Sequence, residues 1–235
     1  MRSDFFKGMT HGIPIALGYI SVSFGFGIAA VRAGLSVAAA VGISASNLTS
    51  AGQAAGVEII AAGGTLIELA LSQLVINLRY SLMGLSLSQK LDDSFTVPHR
   101  LLASYGITDE IFAVAAAQPG KLKPSYMYGL ILISALGWTG GTLLGAVAGQ
   151  ALPQMFTAAM GILLYGMFIA IIIPPSRKSR SVFGAVLFAA LISLLFKFVF
   201  TKISVGFAII ISASVAAAVM ALIAPVPDDE EEEQS

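Results

Sequence analysis

The sequence predicts an all-α, polytopic integral membrane protein: a helical bundle of about seven transmembrane segments with broken or re-entrant helices. The first observation is composition, since 57% of the 235 residues are hydrophobic and only 11% are charged, against about 25% charged residues in soluble domains. The second is length, because several apolar runs reach the roughly 20 residues that cross a bilayer. The third is that basic residues collect between these runs, which is typical of cytoplasmic loops.

We expect residues 1–225 to form a single transmembrane domain, multi-pass in the cell (cytoplasmic) membrane. Residues 226–235 are expected to form an acidic, disordered cytoplasmic tail, because six consecutive acids run from Asp228 to Glu233 and blocks of like charge stay solvated. The thirteen basic and thirteen acidic residues of the chain cancel, so no basic surface for nucleic acid is expected. The absence of cysteine excludes disulfides and cysteine nucleophiles.

The first apolar run, Gly12–Val31, follows Arg2 and Lys7 as the apolar region of a signal peptide would. The run is longer than such a region and further spans follow, so we expect it to be retained as the first helix. Pro14 and Gly18 indicate a helix that is either broken or closely packed, and the sequence does not separate these two alternatives.

The next apolar stretch, Leu35–Leu78, is interrupted by polar residues. The flanking charges require this stretch to cross the membrane an odd number of times, and the length of the stretch fits neither one ordinary span nor three. We therefore predict a re-entrant or broken element over about Val37–Ala54, followed by one span over about Gly56–Leu78. Unwound backbone at membrane depth survives only where it is buried in protein or lines a wet cavity, so this break is the first indication of a functional site.

Four later runs are candidate spans, and glycines recur every fourth residue from Gly137 to Gly149 in the first of them, which predicts close helix packing. These runs are Ser125–Gly149, Gln154–Ile173, Val182–Val199 and Ile203–Ala224. A weaker apolar patch covers Ile111–Ala117, and residues 79–123 are left open as a stretch that dips into the membrane without crossing it. Most basic residues then fall on the side of the N-terminus, which is predicted to be cytoplasmic.

Four acids lie in or beside apolar segments: Glu58, Glu68, Asp109 and Glu110. An acid at the bilayer centre costs about 2.5–3.5 kcal/mol, so such residues usually face a partner or a cavity. For Glu58 and Glu68 the alternative is a position near the external headgroups. For Asp109 and Glu110 it is a place in the first turn of a helix capped by Thr108.

Asn77 and Arg79 are expected to end a span at the cytoplasmic face, where the alternative for Arg79 is simple snorkelling. His11 and His99 have no ligand spacing around them, so no metal site is expected. No catalytic or cofactor fingerprint is found, which predicts a protein that is not an enzyme and has no cofactor. The Trp and Tyr residues are interpreted as interface or packing residues.

Several local patterns occur together in order along nearly the whole chain: Gly12-Ile13-Pro14, Ser50-Ala51-Gly52-Gln53-Ala54, Asn77-Leu78-Arg79-Tyr80, Thr108-Asp109-Glu110-Ile111-Phe112-Ala113, Gly137-Trp138 and Tyr165-Gly166-Met167-Phe168. In these patterns the chain resembles the AzlC family, the large subunit of branched-chain amino-acid exporters. The resemblance implies secondary export of leucine, isoleucine and valine with a small AzlD-type membrane subunit. The acidic tail is not typical of the family, and Ala54 stands where an aromatic residue often follows the Gln.

The resulting hypothesis is a proton-coupled exporter of a small hydrophobic amino acid. A non-transporting scaffold subunit and a transporter of another small metabolite are the alternatives. We expect backbone N–H groups at the break to bind the substrate carboxylate, with substrate-binding residues Asn47, Ser50, Gly52, Gln53 and Asn77. The expected proton-coupling residues are Asp109 and Glu110, with Glu68 as a further candidate, and Arg79 is expected to act in gating.

Overall fold

A computed structural model describes residues 2–151, 166, 169, 172–177 and 179–224. Its helices, named α1 to α9 in chain order, are Arg2–Arg32, Val37–Ser46, Ser50–Ala61, Leu66–Ser88, Val97–Tyr105, Asp109–Ala116, Pro124–Ala151, Arg180–Phe198 and Val205–Ile223. The predicted acidic tail and most of the predicted span Gln154–Ile173 lie outside the described residues. Extended pairing within the described ranges is limited to a single bridge between Leu91 and Leu122.

Five helices in the described ranges, namely α1, α4, α7, α8 and α9, are long and apolar enough to cross a membrane. The predicted helical membrane bundle is therefore confirmed, whereas the count of seven spans is not. The other four helices have only 8 to 12 residues each. At a rise of 1.5 Å per residue they measure about 12–18 Å, roughly half the thickness of a bilayer's hydrocarbon core.

Helices α1 and α7 run parallel and in close contact along their whole length. A Cβ atom added at Gly137 would lie 2.6 Å from the carbonyl oxygen of Ala16, and one added at Gly145 would collide with the backbone of Phe24. Residues later in α1 thus contact residues later in α7, which shows that the two helices are parallel. The glycine stripe packs closely as predicted, and α1 is continuous through Pro14, which decides the alternative left open for the first span.

Helices α2 and α3 form a re-entrant hairpin that enters from the C-terminal end of α1 and returns to it. Val37, at the start of α2, and Val57, near the end of α3, both belong to the cluster around Phe26 and Ala30 of α1. The hairpin turns at residues 47–49, which are not helical. The predicted re-entrant element over Val37–Ala54 is therefore present, and it extends to Ala61.

The predicted span Gly56–Leu78 is wrong at both ends. The chain turns after Ala61, where Gly63 has a φ of 69°, and α4 starts only after Thr65, whose side chain accepts a hydrogen bond from the Glu68 backbone. Helix α4 then continues to Ser88. Arg79 therefore lies inside the helix, and neither it nor the nearby Asn77 ends a span.

Helices α5 and α6 form a second hairpin, which enters from the opposite end of the bundle. At its base Lys90 Nζ donates to the carbonyl oxygens of Ala116 and Gln118. The Gln118 amide also lies 3.0 Å from Nδ1 of His11, in the first half of α1. Residues 79–123 therefore complete α4 and then dip into the bundle without crossing it, the path that the sequence left open.

Helix α9 lies beside α4, and α8 packs against α9. Ser72 of α4 donates a 3.3 Å hydrogen bond to the carbonyl oxygen of Gly206 at the start of α9, and Ser204 donates to Glu68. The start of α9 therefore adjoins the start of α4, which is the end of the bundle from which the first hairpin enters.

Candidate functional site

The tips of the two hairpins meet in the middle of the bundle. Tyr105, at the tip of the second hairpin, donates a 2.6 Å hydrogen bond to the carbonyl oxygen of Ala45, at the tip of the first. Around this point lie Tyr19 of α1, Arg79 of α4 and Trp138 of α7, each near the middle of a helix of 23 to 31 residues. The meeting point is therefore about halfway through the membrane.

A cavity of about 390 Å³ lies beside the tips, a volume within the range of small-ligand sites. Its lining residues are Pro14, Ile15, Gly18, Tyr19, Val22, Leu48, Ser50, Tyr80, Thr108, Asp109, Glu110 and Trp138. The apolar members come mainly from α1, while the carboxylates come from the tip of the second hairpin. The cavity thus combines an apolar wall with acidic and polar groups.

The first tip presents a helix N-terminus to this cavity. Thr49 caps α3, because its hydroxyl accepts a 3.2 Å hydrogen bond from the Gly52 backbone, and Asn47 Oδ1 accepts one from the Thr49 backbone at 3.2 Å. Ser50, the first residue of α3, lines the cavity. The first N–H groups of a helix lack intrahelical partners and carry partial positive charge, so this tip favours an anionic group.

Gln53 packs against the first tip, and its side chain is only 1% exposed. Its amide donates to the carbonyl oxygen of Asn47, and its Oε1 accepts a 3.2 Å hydrogen bond from Trp138 Nε1. A Cβ atom at Gly52 would lie 2.5 Å from Oε1 of Gln73, so Gly52 allows α4 to approach. The structure brings Gln53 and Gly52 to the tip, as predicted, but their contacts shape the tip and neither lines the main cavity.

The second tip carries the acids. Thr108 caps α6 as predicted, accepting a 3.3 Å hydrogen bond from the Ile111 backbone. The Tyr19 hydroxyl lies 2.6 Å from Thr108 Oγ1 and donates to Glu110 Oε2 at 2.6 Å. Tyr19 therefore links α1 to the second tip and holds the Glu110 carboxylate at the cavity edge.

Asp109 pairs with Arg79, whose NH1 lies 3.0 Å from Asp109 Oδ2. The guanidinium also donates to the Tyr80 hydroxyl at 3.2 Å and lies 5.0 Å from the centre of that ring. Arg79 Nε and Asn77 Oδ1 are buried without a hydrogen-bond partner among the described residues. A donor and an acceptor near the hairpin tips thus have unused hydrogen-bonding capacity.

Glu68 lies away from this cluster. Its carboxylate accepts a 2.8 Å hydrogen bond from the Thr65 backbone, which completes a capping box at the start of α4. This position in the first turn of α4, at one end of the bundle, agrees with the predicted alternative of a place near the headgroups better than with a role at the cavity.

The interpretation of the Trp and Tyr residues as interface or packing residues is incomplete. Trp138 is 2% exposed and Tyr19 is 6% exposed; their rings contact edge to face with centroids 5.1 Å apart, and both line the cavity. The sequence does contain a signal for this role, since Tyr19 and Trp138 are polar aromatic residues in the middle of apolar spans. Interface residues are expected at the ends of such spans.

No group of three metal-ligating side chains occurs among the residues that the structure describes. His11 Nδ1 instead lies 3.0 Å from the Tyr126 hydroxyl, and His99 Nδ1 lies 2.5 Å from the Tyr128 hydroxyl. Both histidines thus take part in contacts with α7 on the side of the bundle where α1 begins.

Five long apolar helices and two opposed hairpins define a multi-pass helical membrane protein with a polar site at mid-depth. Residues 14–152 match the model of the AzlC protein family, and the chain belongs to this family. It is 30% identical over 186 residues to the inner membrane protein YgaZ of Escherichia coli, covering 76% of each chain. It is 32% identical over 184 residues to an uncharacterized membrane protein of Archaeoglobus fulgidus, covering 77% of this chain and 80% of the relative. No solved structure matches the chain significantly.

Proposed function

We propose that this protein is a secondary transporter that exports branched-chain amino acids (leucine, isoleucine and valine), coupled to the proton gradient and working with a small AzlD-type membrane subunit. The observation that carries the proposal is the mid-depth cavity between two opposed hairpin tips, which combines a helix N-terminus, two carboxylates and an apolar wall. Broken helices at the membrane midplane are a recurring way to build transporter sites. Membership of the AzlC family supports the same function.

A leucine-like zwitterion has three groups to satisfy, and the cavity offers a counterpart for each. The substrate carboxylate would bind at the N-terminus of α3, near Ser50. The ammonium group would bind near the carboxylates of Asp109 and Glu110. Asn77, whose Oδ1 has no hydrogen-bond partner among the described residues, lines an adjoining cavity that shares Tyr80 with this one. The branched tail would lie against the apolar wall that α1 provides.

Asp109 and Glu110 are the proposed proton carriers. Each already interacts with a group on a different long helix, Asp109 with Arg79 of α4 and Glu110 with Tyr19 of α1. Protonation of either carboxyl would remove the charge that these contacts use, and it would loosen the second tip from α4 or α1. This linkage supplies a physical route from proton uptake to hairpin movement.

Arg79 is proposed to act in gating. It does so from the middle of α4 and not from the cytoplasmic end of a span, where the sequence predicts it. Its ion pair with Asp109 connects a long span to the second hairpin. A lysine at position 79 keeps the charge but lacks the guanidinium fork that contacts both Asp109 and Tyr80. Full activity in the Arg79→Lys variant would therefore count against this role.

The deciding experiment measures efflux of preloaded radiolabelled leucine from proteoliposomes under an imposed pH gradient, with and without a candidate AzlD-type subunit. Gradient-dependent efflux that requires the subunit would support the full proposal. Efflux of other amino acids or metabolites without efflux of leucine would mean that the protein transports a different class of substrate. If the folded protein carries no solute under any of these conditions, the proposal is wrong and the non-transporting scaffold subunit becomes the favoured alternative.

A further inference from the structure

Gly18 occupies an unusual place in the cavity wall. Helix α1 turns Ile15, Gly18 and Val22 toward the cavity, at the spacing i, i+3, i+7 of one helix face. Two branched apolar side chains therefore flank a residue that has no side chain. This leaves a bare patch of backbone in the middle of the apolar wall.

Three other glycines of α1, namely Gly8, Gly12 and Gly27, have a packing reason to be glycine. A Cβ atom at Gly8 would collide with Tyr126, and a Cβ atom at Gly12 or Gly27 would collide with α7 as well. At Gly18 an added Cβ atom meets no atom within 4 Å among the described residues. Packing against the described part of the protein therefore does not require glycine at this position.

Glycine inside a helix also has a cost, because alanine is the better helix former at an unconstrained position. What glycine contributes at position 18 is space within the cavity. From this we infer that Gly18 is a specificity-determining residue whose missing side chain accommodates the apolar tail of the transported amino acid, between Ile15 and Val22. This inference rests on the proposed function.

A carboxylate, that of Glu110, shares the cavity with Gly18. Tyr19 follows Gly18 on α1, and its hydroxyl contacts the carboxylate of Glu110. An ammonium group bound near Glu110 would leave the adjacent tail inside the same cavity, where the backbone of Gly18 forms part of the apolar wall. Size selection at this position follows, because a side chain here and a branched substrate tail would compete for one volume.

The test compares Gly18→Ala and Gly18→Val with wild type in uptake by counterflow, using alanine, valine, leucine and phenylalanine as substrates. We expect Gly18→Val to lower leucine uptake by about tenfold or more relative to alanine, since a methylene group in a hydrophobic pocket changes selectivity by about 10–200-fold. Gly18→Ala should shift selectivity in the same direction by a smaller factor. Leucine should also protect wild type against thermal unfolding more than it protects Gly18→Val.

Gly140→Ala and Gly140→Val are the matched controls. Gly140 lies in α7, has no described atom within 4 Å of an added Cβ and is not among the residues that line the cavity, so its variants should keep the wild-type ratio of leucine to alanine uptake. An active wild type whose ratio is unchanged by Gly18→Ala and Gly18→Val would overturn this inference alone. A folded wild type that carries no amino acid either alone or with a candidate AzlD-type subunit would overturn the proposed function, and this inference with it.

Discussion

At the scale of single residues, the site depends on hydrogen bonds between elements that are distant in the chain. Tyr19 reaches Glu110, Arg79 reaches Asp109, and Trp138 is held by Gln53. In a membrane interior a buried polar group without a partner is costly. The contacts of these side chains therefore help to fix where the hairpin tips lie.

For Asp109→Asn and Glu110→Gln we expect gradient-driven efflux of leucine to fall by about tenfold or more in each case. The neutral amides cannot carry the proton, and each loses a charge-assisted hydrogen bond of about 1.5–3 kcal/mol. Counterflow without a pH gradient, which needs no net proton movement, should be affected less. Both rates are measured in the same proteoliposomes, and full pH-dependent efflux in both variants would exclude these residues as proton carriers.

Gln53 and Trp138 should be energetically coupled. Gln53→Leu leaves the buried Trp138 N–H without its acceptor, and Trp138→Phe removes the donor, so the double variant should lose less stability than the sum of the two single variants. We expect a coupling energy of about 0.5–3 kcal/mol. The measurement is a double-mutant cycle of unfolding in detergent, and strictly additive losses would mean that the contact does not stabilise the tip.

At the scale of elements, the first re-entrant hairpin and the start of α6 follow from local sequence, whereas α5 and the residues that surround the two tips do not. Polar residues between Ser44 and Gln53 indicate the first tip, and Thr108 with its acids indicates the start of α6. The prediction that Arg79 ends a span is wrong because it assumes that an Arg side chain needs water at the cytoplasmic boundary. Its partner Asp109 lies thirty positions away, and no local pattern reports that pair.

The glycine stripe gives the sharpest test of an element. Gly141→Ala should lower the free energy of unfolding by about 1–3 kcal/mol, because its Cβ would lie 2.5 Å from the carbonyl oxygen of Ile20 and force α1 and α7 apart. The adjacent Gly140→Ala should be neutral or stabilising by up to about 1 kcal/mol. Thermal unfolding in detergent measures both, and equal effects would contradict the close packing of α1 on α7.

At the scale of the whole molecule, each hairpin opens to one side of the membrane. The first hairpin begins and ends beside the C-terminal end of α1, and the second beside its N-terminal half. A solute at the tips would therefore be separated from either side by about half the bilayer. The proposed transport path would thus be divided into two halves, each bounded by a different segment of the chain.

The natural absence of cysteine makes this topology directly measurable by single-cysteine labelling. Ser36→Cys and Ala62→Cys, at the two ends of the first hairpin, should react with an impermeant maleimide from the same side of sealed vesicles. Asp93→Cys and Lys121→Cys, which flank the second hairpin, should react only from the opposite side. Labelling of Ser36→Cys and Ala62→Cys from different sides would mean that α2 and α3 together cross the membrane.

The order of the first six helices has one more consequence. Helix α1 and its hairpin form one unit, and α4 with its hairpin forms a second unit of the same design that runs in the opposite direction. Such inverted-topology repeats are related by a pseudo-twofold axis in the membrane plane. If the two units exchange conformations, the resulting state faces the other side with the same kinds of contact. The inward-facing and outward-facing forms would then be related by this axis and close in free energy, and a modest gradient would be enough to set the direction of transport.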